Sequence, residues 1–443
     1  MTRFTQLQEI KLHKLAVTSL ILLSLLFAVP AFTQTTTNAP ADKNFFTQQY
    51  LLGDWGGART KLAEEKGVTF DFFYVGDFLA DPQGVKTGAA GWNRVRGTMD
   101  IDFGKLANVK GLTFHVTGLW QGGPNLGSSY LGSISNPSGL VSARTEILDS
   151  YWLQYAMADG KVALRAGQFA SMDLYGLQYY GGNYVMEPLD YGFNNRFNDY
   201  ASFDPASGPG VQLQITPARF VYFKAAFTSG NRNPYAQDPN GFHFLKKDSG
   251  VFSDEIGFLT DQPGGKVSKE KYYPGFYAFG STYNGGKFSD PFNNTPLYLS
   301  PYTGNYVIYF MANQAIFRPK AGSNTGLDAH FGISASPNQT YNFVDKNITG
   351  GLIYNGLIPS RPKDALAFGL SYSHVSNAYS TAYADSLLGA PVLGSEKAYE
   401  FNYLLQATPY FMIQPVVQIY QDLGANPKNP TGVAAGFRTK VTF

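Results

Sequence analysis

The sequence predicts an all-β fold, a transmembrane antiparallel β-barrel of sixteen strands, on three observations. The first is the final stretch, Val433 to Phe443, VAAGFRTKVTF. Successive side chains of a strand point to opposite faces. Val433, Ala435, Phe437, Thr439, Val441 and Phe443 therefore share one side, with Arg438 and Lys440 on the other. Its eleven residues also suffice for a tilted strand to cross a bilayer. The second is composition. Charged residues make up 15% of the chain, against a usual share of about a quarter, while aromatics reach 16% and glycines number 48. A mean hydropathy of −0.18 is too polar for a bundle of membrane helices and suits strands that are apolar on one side only. The third is that period-two alternation recurs an even number of times, as closure with both ends on one side requires.

In chain order, the amino-terminus reads as an export signal over residues 1–31. Arg3, Lys11 and Lys14 accompany an apolar run from Leu15 to Val29, and Val29-Pro30-Ala31 offers a small-residue cleavage site. A membrane anchor is the alternative, for which the run is short. Removing this segment takes away three basic residues and one acidic residue, so the formal charge of +2 falls to zero. A neutral chain gives nucleic acid no electrostatic footing. Residues 32–50 form a polar linker. Residues 51–67, LLGDWGGARTKLAEEKG, read as a short helix that Asp54 caps and Gly67 stops. It serves as a surface helix or as a small plug at one mouth of the barrel. With no cysteine, neither a disulfide nor a thiolate metal site is available.

From Val68 the period is two. Val68, Phe70, Phe72, Tyr74 and Phe78 share a face in the first strand. In the second, Val95, Met99, Ile101 and Phe103 oppose Arg94, Arg96, Thr98, Asp100 and Asp102. In the third, Leu112, Phe114, Val116 and Trp120 oppose Thr113, His115, Thr117 and Gln121. Strict alternation of this kind marks half-buried strands. Further strands fall near 144–156, 161–169, 208–217, 219–229, 251–260, 272–283, 305–317, 325–336, 341–353, 364–375, 396–407, 411–421 and 433–443. Connections alternate in length. Those at 105–111, 157–160, 216–219 and 408–410 are short, whereas 122–143, 170–207, 230–250, 284–304 and 376–395 are long. Outer-membrane barrels distinguish periplasmic turns from external loops in this way. The segment 336–340, SPNQT, breaks the scheme by being short on the loop side.

Several ordered blocks resemble the carbohydrate-selective porins of the OprB type. They are GDWGGARTKLAEEKGVTF at Gly53–Phe70, GTMDIDFGKL at Gly97–Leu106, LTFHVTGLWQGG at Leu112–Gly123, VALRAGQF at Val162–Phe169 and the TPAR turn. EFNYLLQATPYFMIQPVVQIYQDLG at Glu400–Gly424 and the terminal AAGFRTKVTF complete the set. The blocks span most of residues 50–443 and are sparsest over 230–350. The resemblance implies an outer-membrane barrel passing sugars by diffusion, with a constriction lined by arginines and acidic groups. It further implies a long third loop, 170–207, folded into the lumen with Asp173, Tyr175, Tyr179, Tyr180, Glu187, Asp190, Arg196 and Asp199. A terminal residue such as Phe443 serves recognition by the barrel-assembly machinery in such proteins.

Magnitudes decide which face is the lumen. An Arg in lipid costs about 2–4 kcal/mol at the midplane, and turning the second strand over would put Arg94, Arg96, Asp100 and Asp102 there together. The charged face is therefore wet. Arg165, Arg438, Lys224 and Lys440 fall on the same parity, as do Glu146, Glu400 and Trp152. Arg presents five fixed donors and keeps its charge, which suits exchange of hydrogen bonds with sugar hydroxyls. Opposed acids set a transverse field that leaves neither ion greatly favoured. Trp152 offers a face for a pyranose ring or packs against the inserted loop. Each charge taken singly is equally an ordinary solvated residue of the wall; as a set they point to a constriction, Arg94 and Arg96 foremost and Arg165 next.

No nucleophile motif is present, and His115, His243, His330 and His374 match no zinc spacing. Asp100 and Asp102 lie on one strand without a supporting cleft, so lumen charges explain them better than glycoside hydrolysis. The reading is a bacterial outer-membrane porin, exported by a cleaved signal, embedded in lipid and needing no cofactor. It admits mono- or small oligosaccharides down their gradient. A general or anion-leaning porin without sugar selectivity and a barrel enzyme are the alternatives, and association into a homotrimer is left open.

Overall fold

Alternation carried along the chain builds a wall with one apolar and one polar surface. A computed structural model describes residues 44–141, 144–170, 174–192, 198, 207–230, 249–261, 273–289, 300–320, 323–387 and 389–443. The export-signal region, most of the linker, and Asp173, Arg196 and Asp199 lie outside the described residues. The strands are β1 (Val68–Asp81), β2 (Gly88–Asp102), β3 (Leu112–Gly122), β4 (Thr145–Met157), β5 (Val162–Phe169), β6 (Gly208–Ala218), β7 (Val221–Ser229) and β8 (Gly250–Asp261). They continue as β9 (Gly275–Lys287), β10 (Thr303–Phe317), β11 (Gly326–Ala335), β12 (Val344–Asn355), β13 (Ala365–Val375), β14 (Ser395–Thr408), β15 (Phe411–Gln421) and β16 (Gly432–Thr442). Each pairs with its sequence neighbours, and β16 returns to β1, giving a closed barrel of sixteen strands. Closure leaves no edge whose amides lipid would have to satisfy.

Most expected strands appear within a few residues of their predicted bounds. β12 differs: it begins at Val344 because Asn342 turns away, its amide bonding Asn338 O at 3.2 Å and its side chain meeting Asn305 of β10. The outer wall is apolar, with Phe227 58% and Phe279 55% exposed.

The seam is set by the register from Phe73 opposite Thr442 to Ala80 opposite Ala435. Beyond it the Phe443 amide bonds Phe72 O at 2.8 Å, and the Leu51 amide bonds Thr442 O at 2.9 Å. The predicted helical stretch contains α1 (Ala58–Lys61), continuing as a π-turn over Leu62–Lys66. Asp54 Oδ1 accepts from the Thr60 amide at 3.0 Å, and Gly67 ends the segment at φ +64°. Arg59 lies over the Tyr50 ring at 3.5 Å and donates to Phe443 O at 3.0 Å. Burial pulls its guanidinium down to about 10, against the raising effect of Tyr50 and Asp54, so it stays charged at neutral pH. This segment sits on the turn end of the barrel, beside the seam.

The apolar core lies inside the barrel. Leu126 and Leu131 of the β3–β4 loop, and Tyr180, Tyr184, Val185, Met186 and Leu189 of the β5–β6 loop, pack against Ile353, Ala367, Ala398, Val416 and Ala434 of the wall. Small wall residues make room for them. At Gly369 a Cβ would stand 2.5 Å from Leu189 Cδ1, and at Gly351 2.1 Å from Tyr184 Oη.

Candidate functional site: the lumen and its two inserted loops

The β5–β6 loop enters the lumen as expected and is fastened to one strand after another. Glu255 of β8 accepts from the Gly176 amide at 3.2 Å, Tyr222 Oη at 2.6 Å, Tyr309 Oη at 2.8 Å and Lys224 Nζ at 3.0 Å. Lys224 also reaches Leu174 O at 3.2 Å. Tyr180 Oη donates to Asp328 of β11 at 3.0 Å, and Thr349 Oγ1 of β12 donates to Gly192 O at 3.1 Å. Tyr184 Oη donates to Phe368 O at 3.0 Å; burial pushes this hydroxyl up, and nearby Glu400 adds to the shift. Just before the short helix Glu187–Tyr191, the Val185 and Met186 amides converge on the two oxygens of Glu400 of β14 at 2.8 and 2.6 Å. Arg438 holds Tyr184 O at 2.9 Å while making a two-pronged pair with Asp77 of β1 at 2.7 and 2.9 Å. Such charge-assisted forks are short and directional.

A second loop, unforeseen from the sequence, comes down beside it. In the β3–β4 loop the Ile134 and Ser135 amides both bond Glu396 of β14 at 2.7 Å. Ser138 Oγ donates to Asp77 at 2.6 Å, and Pro137 O accepts from Gln418 at 2.8 Å. The loops join through the Gly139 amide to Val185 O at 2.8 Å and the Glu187 amide to Asn136 O at 3.0 Å. Glu396 and Glu400, four residues apart on β14, thus each clasp two consecutive amides of a different loop.

Nearer the turn end, the wall of β2–β5 carries a continuous rung. Asp100 Oδ1 meets His115 Nδ1 at 2.7 Å, the His115 ring stacks on Trp152 at 4.6 Å, and the Arg165 guanidinium lies 4.0 Å over Trp152. Arg165 is steadied by Gln154 at 2.9 and 3.2 Å. Arg96 pairs with Asp149 at 3.3 Å and keeps 24% of its side chain exposed. Apart from the buried Asp149, these groups are partly exposed, face the lumen and present donors and acceptors side by side.

Several predicted lining residues do other work. Arg94 is buried beneath the β3–β4 loop, bonding Gln121 at 2.8 Å and Leu140 O at 3.5 Å. Lys224, Glu400 and Arg438 face inward but are covered by the loops they fasten; parity gives the side of the wall and not what lies on it. Asp102 stands at the strand's end and caps the following turn, accepting from the Gly104 amide at 2.8 Å. Trp152 has its ring engaged by His115 and Arg165 rather than left as a bare stacking platform. Glu146 is a correction. It pairs with Trp120, whose side chain is on the outer face, and is itself exposed. The cause is a bulge: Thr117 opposes Ser150 but Gly118 opposes Leu148, so Asp149 is the extra residue and parity reverses across it. Asp149 is the lumen acid that sequence alternation missed, holding Ser207 Oγ at 3.1 Å as well as Arg96.

A closed sixteen-stranded barrel with an apolar outer wall, a polar interior and loops drawn across it is a porin, an integral protein of the outer membrane. This chain belongs to the carbohydrate-selective porin, OprB family, whose profile matches residues 86–443; it is a channel for sugars. It is similar to Porin B of Pseudomonas aeruginosa, 24% identical over 458 residues, covering 94% of this chain and 96% of that protein. The high-pH structure of Pseudomonas putida OprB superposes with a TM-score of 0.78 at 18% identity, over 90% of this chain and all of that one. The low-pH structure of the same protein gives 0.57 at 16% identity, over 90% of this chain and 99% of that one.

Proposed function

We propose that this chain passes mono- and small oligosaccharides by diffusion through an eyelet. The β3–β4 and β5–β6 loops bound it on one side, and the Arg96, Asp100, Trp152 and Arg165 wall bounds it on the other. The observation that carries this reading is the fastening of both loops inside the lumen by Glu396, Glu400 and the Asp77–Arg438 pair. A polar barrel narrowed by tethered loops selects by width. Fixed guanidinium and carboxylate groups then replace the water that a sugar hydroxyl sheds, because they offer donors and acceptors at small reorganisation cost. Opposite charges close together keep ions from dominating the flux. Passage needs no energy coupling.

By the same reading residues 1–31 are a signal that is cleaved, the short turns face the periplasm, and residues 51–67 partly cover that mouth. Phe443 is the residue that the assembly machinery reads.

Liposome swelling with sugars of graded size, run beside salt conductance, tests the proposal. Swelling should fall steeply with sugar size, and Arg96→Ala with Arg165→Ala should change the relative rates several-fold while the barrel still assembles. A sugar series identical to the parent's would remove these arginines from the path. Equal rates for sugars and for non-sugar solutes of the same size would make the channel a general porin.

A further inference from the structure

Arg165 differs in its company from the other cations of the lumen wall that the loops and strands hold in place. Arg96 meets Asp149, Lys224 meets Glu255 and Arg438 meets Asp77. Arg165 instead gives Nε and Nη2 to a single neutral oxygen, Gln154 Oε1, and rests on the Trp152 ring. Among the described residues it has no carboxylate partner. Its remaining N–H bonds are not buried, and the side chain is partly exposed to the lumen. A guanidinium fixed in this way offers an in-plane fork of the shape that a carboxylate fills.

The opposite end of the same rung is an acceptor. Asp100 keeps 37% of its side chain exposed and uses Oδ1 on His115, which leaves Oδ2 to the lumen. It stands near enough to act on the charge of Arg165. Between the two ends the His115 and Trp152 rings are stacked on each other and Arg165 lies over Trp152, so no ring of the rung is a bare platform for a pyranose. Recognition therefore falls to the ends. A simple anion gains a partner at Arg165 and is repelled by Asp100. A polyhydroxylated molecule with a carboxylate gains at both, because its carboxylate accepts from Arg165 while a hydroxyl donates to Asp100.

We propose that the rung from Asp100 to Arg165 binds sugar acids, the aldonates and uronates, and favours them over neutral sugars of the same size. This rests on the reading of the lumen as a sugar path and adds the charge class of the sugar. The site is open to water, so its bonds are weak enough for release as well as capture, which conduction requires.

Chloride current through the full-length protein in planar bilayers, titrated with glucose, glucuronate and benzoate, tests the proposal. Glucuronate should block at a lower concentration than either of the others. Arg165→Gln should raise its half-blocking concentration about tenfold, the worth of one charge-assisted contact, and raise that of glucose by less. Arg165→Lys, which keeps the charge and loses the fork, should recover part of the difference, and Asp100→Asn should narrow the preference for glucuronate over benzoate. The folded, heat-modifiable band reports assembly of each variant. Block by benzoate equal to that by glucuronate overturns the proposal, as does an Arg165→Gln shift that is the same for glucose and glucuronate. Liposome swelling on the same preparations separates the two readings. Entry of glucose that falls steeply with sugar size, without preferential block by glucuronate, leaves the sugar path standing and removes the acid site. Entry of glucose no different from that of a non-sugar solute of its size removes the sugar path and this site with it.

Discussion

Arg438 and Arg165 face the same lumen and are held in opposite ways. Arg438 is 6% exposed and gives its donors to Asp77 and Tyr184 O, whereas Arg165 lies over an aromatic face with solvent beside it. Removing one member of a buried ion pair leaves the other unsatisfied and costs about 3–5 kcal/mol. Arg438→Ala should therefore lower barrel stability by that amount in denaturant titration, and Arg165→Ala should leave it nearly unchanged while altering flux. At this scale the sequence was read correctly for side and poorly for cover. Arg94, Lys224, Glu400 and Arg438 all point inward as alternation required, yet each is bonded by a loop that lies from 46 to 254 positions away in sequence. Glu146 was misread because an inserted residue, Asp149, leaves no local mark in a run that alternates on both sides of it.

Elements divide into a wall legible from the chain and loops that are not. Period-two patterning located nearly every strand, because each strand's two faces meet solvents of opposite kind. The descent of the β3–β4 loop left no comparable trace, since its partners are Asp77, Glu396 and Gln418 on distant strands. β14 is the strand on which both loops depend. Glu400→Ala would free the Val185 and Met186 amides, so single-channel conductance should rise and larger sugars should pass; unchanged conductance would count against the clasp. Gly369→Val tests the same seating from the wall side. Its side chain would press on Leu189 and Tyr184, so the loop should become cleavable by an added protease while the barrel remains heat-modifiable.

For the whole molecule, closure at the seam is the deciding contact. Strand count and the shared end of both termini were enough to anticipate it; the lock around it was not, because Arg59 and Phe443 are 384 positions apart. Their bond to a charged donor is worth about 1.5–3 kcal/mol net. Arg59→Ala should thus lower the temperature at which the folded band disappears on unheated gels, with pore conductance preserved. At Gly436 a Cβ would stand 1.9 Å from Phe78 O across the same seam, so Gly436→Ala should reduce the yield of folded barrel more than its effect on any finished pore.

The clasps on β14 also impose an order of events. Loop residues 134, 135, 185 and 186 are tied to carboxylates 214 to 262 positions later in the chain, and Arg438 arrives later still. An assembly intermediate that has not yet received its last three strands has the loops but nothing to moor them. On the proposed reading, narrowing of the pore therefore waits until the strands that carry these carboxylates are in place.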